Sequence, residues 1–83
     1  MSIQIAETAQ EINDCYSVMQ NLRPHIPQAD FVARIQAQQQ GGYRLCYRRE
    51  AGTVVAVAGF RISENLAWGR FMYIDDLVTL PRC

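Results

Sequence analysis

The chain has 83 residues and a mass of 9.5 kDa, which bounds it to one small domain spanning residues 1–83. Its composition, 49% hydrophobic and 19% charged with few Gly and Pro, is that of a folded protein and excludes disorder over most of its length. Eight basic and eight acidic residues cancel, which argues against nucleic acid or an anionic membrane as the main partner.

The three cysteines, Cys15, Cys46 and Cys83, are widely spaced and include no C-x-x-C pair; His25 is the single histidine. That pattern supports neither a disulfide framework nor a metal site. No basic-then-apolar leader is visible at the N-terminus, and the apolar run Val54 to Phe60 is too short to span a bilayer. A reduced, cytoplasmic compartment is the expectation.

In chain order, Ile3-Gln4-Ile5 alternates as a short strand. Thr8 and Glu11 form a T-x-x-E capping box that opens a helix. Ile12, Cys15, Tyr16, Met19 and Leu22 recur at helical spacing and predict its buried face, and Pro24 and Pro27 end it. A second helix is expected from about Gln28 to Gln40, with Phe31 and Ile35 as a thin apolar stripe and Gly41-Gly42 as its stop. Tyr43 to Glu50 then alternates apolar residues with arginines, as a half-exposed strand does. Ala51-Gly52 reads as a hairpin turn. Thr53 to Ile62 is apolar on both faces, which predicts an interior strand, and Arg70 to Thr79 makes a third long strand. Trp68 beside Gly69 reads as an aromatic covering the turn between them. The order β-α-α-β-β-β defines an α+β fold with a three-strand antiparallel meander.

The two helices, joined by a short turn, suffice to cover one face of such a sheet. The other face and the free edge of the last strand are left bare, and long apolar edges pair with other chains unless blocked. The expected partner is therefore a second copy of the chain docking through Phe71 to Thr79, or a complementary C-terminal half.

The runs Gly59-Phe60-Arg61-Ile62, Trp68-Gly69-Arg70 and Tyr73-Ile74-Asp75-Asp76-Leu77-Val78-Thr79, with the order of elements before them, resemble the first half of a GNAT-superfamily N-acetyltransferase. The resemblance implies half of an acyl-CoA N-acyltransferase fold. It also implies that Leu77, Val78 and Thr79 belong to the strand that binds the acetyl group and pantetheine arm of acetyl-CoA. Asp75 and Asp76 match the position of a carboxylate base for the attacking amine. Arg23 to Gln28 matches the loop that borders the acceptor pocket.

The sequence departs from the family where Leu80-Pro81-Arg82-Cys83 stands in place of the glycine-rich pyrophosphate loop; no G-x-G occurs anywhere. Successive backbone N–H groups at a helix N-terminus are what cradle a pyrophosphate. The expectation is thus a fold truncated before its phosphate loop, with no cofactor for the isolated chain and acetyl-CoA only if a partner completes the site.

Read from the strand alone, Asp75-Asp76 is a solvated carboxylate pair at a sheet edge. Strict alternation places Asp75 with Phe71 and Tyr73, and Asp76 with Met72 and Ile74, so that only one faces the acyl site unless a bulge intervenes. Arg44, Arg48 and Arg49 read as polar-face charges or as an anion patch. Cys15 reads as a core residue, Cys46 on the strand's polar face and Cys83 at the end as candidate reactive thiols with no evident base partner, and His25 as a loop residue.

Overall fold

The structure, a computed structural model, describes residues 3–80, so Cys83 lies outside the described residues. Its elements are β1 (Ile3–Ile5), α1 (Ala9–Asp14), α2 (Tyr16–Met19), α3 (Gln28–Gln40), β2 (Tyr43–Glu50), β3 (Thr53–Asn65) and β4 (Gly69–Thr79). The four strands form one antiparallel sheet in the order β1-β2-β3-β4, and the helices lie on one face of it. This is the expected α+β meander, with β3 inside the sheet and β4 at its edge.

The Thr8–Glu11 capping box forms on both sides. Thr8 Oγ1 accepts from the Glu11 backbone N–H at 3.1 Å, and the Glu11 carboxylate accepts from the Thr8 N–H at 3.0 Å. The helix it opens is interrupted once, at Cys15, whose backbone N–H donates to the Ile12 carbonyl, a tight i→i−3 bond. Ile12, Cys15, Val18 and Met19 are buried, whereas Leu22 falls in the turns after α2 and is 38% exposed. Tyr16 packs edge-on against Phe31 at 5.2 Å, and its hydroxyl donates to the Ile26 carbonyl at 2.8 Å. That bond fastens the Arg23 to Gln28 connection over the sheet.

Tyr43, Leu45 and Tyr47 of β2 and Val54 and Val57 of β3 complete the core. The turn between these strands has φ 52 at Ala51 and φ 81 at Gly52, so both central residues are left-handed, the geometry that matches the twist of a two-residue hairpin. Two bulges shift the alternation. One lies opposite Arg48/Arg49 and turns Val54 onto the helix side; the other lies opposite Gly59/Phe60 in β4.

The face away from the helices carries Ile3, Ile62, Met72, Ile74 and Leu77, each about half exposed or more. Trp68, at the β3–β4 tip, is 78% exposed and covers nothing, contrary to the expectation from its place beside Gly69. Among the described residues, no helix is long and apolar enough to cross a membrane.

Candidate functional site

The β4 bulge decides where the two carboxylates go. Gly59 pairs with Asp76 and Phe60 pairs with Ile74, so Asp75 is the extra residue with no partner in the ladder. The bulge turns both side chains to the helix side, where they line one cavity. Strict alternation fails here: Asp75 keeps the side of Tyr73, but Asp76, together with Val78, leaves that of Met72 and Ile74. Of the strand residues expected beside the acyl group, Val78 shares the carboxylates' side. Leu77 and Thr79 pair with Ala58 and Ala56 on the opposite face.

The cavity holds about 220 Å³ between α3, the loop after α2 and the sheet. Met19, Ile26, Phe31 and Ile35 form its apolar side; Arg23, Tyr43, Arg61, Arg34 and Gln38 stand around the carboxylates. Arg23 donates from Nε to Asp76 Oδ1 at 2.9 Å, its Nη2 lies 2.7 Å from the same oxygen as an ion pair, and Nη2 donates to the Asp75 carbonyl at 3.3 Å. It therefore neutralises one carboxylate and bonds the carbonyl of the bulge residue. Tyr43 Oη donates to Asp76 Oδ2 at 2.8 Å. Arg61 Nε donates to Asp75 Oδ2 at 2.8 Å, its Nη2 donates to Gln38 Oε1, and its guanidinium lies 5.4 Å from the centre of the Tyr43 ring. Among the described residues, Asp75 Oδ1 is the one oxygen of the four that accepts no hydrogen bond.

Tyr43 reaches Asp76 by crossing β3 at Gly59. A Cβ at Gly59 would overlap the Tyr43 hydroxyl and Cζ and lie 2.7 Å from Cε1. Burial, and then the hydrogen bond to Asp76, push the Tyr43 hydroxyl well above its usual value of 10, so it stays protonated and serves as a donor. The sequence marked the two aspartates and the Arg23 loop. Tyr43 read there as an ordinary strand residue; Gly59 and Arg61 belong to the run Gly59-Phe60-Arg61-Ile62 that carries the family resemblance, but nothing in the sequence marked them as neighbours of the carboxylates.

The remaining candidates are structural. Arg48 pairs with Glu50 and Arg49 with Asp14, while Arg44 donates to its neighbours' carbonyls, so the three arginines form no anion patch. Burial raises the thiols of Cys15, to about 12, and of Cys46, which leaves neither activated as a thiolate. His25 is an exposed loop residue, and among the described residues no group of side chains could hold a metal ion.

The site is thus a half-open cavity on an α+β fold, apolar on one side and lined on the other by two carboxylates carried at a bulged sheet edge. Among solved structures, an acetyltransferase from Trypanosoma brucei superposes with a TM-score of 0.71 over 96% of this chain, at 14% sequence identity. The chain spans 60% of the length of that structure. The fold is therefore acetyltransferase-like. No protein-family profile matches the chain, and no curated protein matches it.

Proposed function

We propose that these 83 residues are the acceptor-binding half of a GNAT-type N-acetyltransferase fold. By themselves they do not transfer acetyl, and they pair with a second copy through β4 and the uncovered sheet face. The observation that carries this reading is the asymmetry about β4. On its helix side, two carboxylates line a half-open pocket; among the described residues, no strand pairs with its outer edge and no helix covers the opposite face.

The fit to acetyl-CoA divides the same way. The free edge of β4 offers backbone donors and acceptors of the kind an acyl group and pantetheine arm use. For the phosphates, the described residues offer no glycine-rich G-x-G turn opening a helix. Titrating acetyl-CoA calorimetrically into the isolated chain is expected to give no saturable heat. Micromolar binding would overturn the reading of an inactive chain.

The open lone pairs of Asp75 Oδ1 favour a second reading: an acetyl-CoA-dependent N-acetyltransferase completed by a second chain or a C-terminal half. Acetyl-CoA, when bound, supplies the activated acyl group. The residues here do the rest of what a base and its supports must do. Asp75 Oδ1 takes a proton from the acceptor nitrogen, and Arg61 holds that carboxylate in place through Oδ2. Arg23 and Tyr43 keep Asp76 fully bonded, so it acts as a fixed wall rather than as a base. Acetylation of an amine by the completed protein, abolished by Asp75→Asn, supports this alternative; unchanged turnover in that variant removes Asp75 as the base.

A further inference from the structure

We infer that the pocket takes a small zwitterion, an amino-acid-like molecule whose amine meets Asp75 and whose carboxylate meets Arg34. The inference rests on the acceptor-pocket reading and names the class of acceptor. Three arginines line the cavity, and two are already committed: Arg23 to Asp76, and Arg61 to Asp75 and Gln38. Arg34 lines the same cavity from α3 and, among the described residues, has no carboxylate partner; Asp30, one turn earlier on the helix, makes no ion pair with it.

The cavity thus presents one uncommitted cation and one uncommitted carboxylate oxygen. The same cavity has an apolar side made of Met19, Ile26, Phe31 and Ile35, which an apolar side chain can fill. A ligand with one charge would satisfy one end and leave the other to water, whereas a zwitterion with an apolar side chain satisfies both. At about 220 Å³ the space is below the usual range for drug-sized ligands and suits a molecule of amino-acid dimensions.

The test is an NMR titration of the full 83-residue chain with three related probes: L-leucine, isoamylamine (leucine without its carboxylate) and 4-methylpentanoate (leucine without its amine). Leucine is expected to shift the amides of the cavity residues and to bind at least tenfold more tightly than either analogue. Arg34→Gln is expected to bring leucine down to the affinity of isoamylamine while leaving isoamylamine unchanged, and Arg34→Lys to restore part of the difference. Arg34 is exposed, so these variants fold as the parent does. If isoamylamine binds as tightly as leucine, or Arg34→Gln leaves leucine binding intact, the zwitterion inference fails and the amine pocket stands. If none of the three probes moves the cavity amides, the acceptor pocket fails with it.

Discussion

At the scale of single residues, the site depends on an atom that is missing. Gly59 has no side chain, and the Tyr43 ring occupies the space a Cβ would take on its way to Asp76. Alanine at 59 must displace the ring, which breaks the 2.8 Å bond and leaves a mostly buried carboxylate with Arg23 alone. Gly59→Ala is therefore expected to cost about 1–3 kcal/mol, read as a lower urea midpoint at unchanged slope. Tyr43→Phe should cost about 1 kcal/mol for the same lost bond. Because both changes remove one interaction, the double variant should lose less than the sum, by about 1 kcal/mol. Full additivity would mean that Gly59 serves β3 packing and not the tyrosine. None of this was legible in the sequence, where a glycine in an apolar strand marks a close approach without saying of what.

Among the elements, what the sequence made legible is what local chemistry decides alone. The T-x-x-E box named the start of the first helix, since both of its hydrogen bonds span three residues. The strand order followed from two short connections that force neighbouring antiparallel pairs. The bulge at Asp75 was hidden for a physical reason: Phe71 to Ile74 are apolar on both sides, so alternation there carries no information about which residue slips. The two aspartates were thus found, but their common side was not. The cap also makes stability depend on pH. Glu11 accepts from the Thr8 and Glu7 backbone N–H groups and from the Tyr47 hydroxyl, and these bonds hold its carboxyl down from 4.5 to about 2, the Thr8 backbone bond contributing most. A carboxylate with a depressed folded value contributes stability that is complete above its unfolded value and is lost as pH falls toward the folded one. The urea midpoint of the parent should therefore fall between about pH 5 and pH 2 more steeply than that of Glu11→Gln, with the two curves converging at the acid end. Parallel curves would mean that the cap is not formed in solution.

The whole molecule exposes more surface than its mass requires. A compact protein of this size presents about 5,000 Å²; this one presents 5742 Å², an excess of about 700 Å². Its radius of gyration, 13.3 Å, likewise exceeds the roughly 12 Å of a compact 83-residue chain. The surplus is close to the roughly 800 Å² that each partner buries in a stable complex, and the helix-free sheet face is an exposed apolar surface available for it. Zero net charge opposes no self-association, and Ile62, Met72, Ile74 and Leu77 form a patch that two copies can share about a two-fold axis. Light scattering of the purified chain should accordingly give about twice 9.5 kDa. The bulge fixes which substitutions test the idea: Met72, Ile74 and Leu77 look outward, whereas Val78 pairs with Val57 on the core side. Ile74→Lys and Met72→Lys should yield folded monomers, because a charge on the open face meets water at once and meets an apolar surface only in the dimer. Val78→Lys should lower the urea midpoint instead, because its charge enters the core that Val57 helps to form. A parent chain that stays monomeric and folded at high micromolar concentration, or an Ile74→Lys dimer as tight as the parent's, would remove the sheet face as the contact.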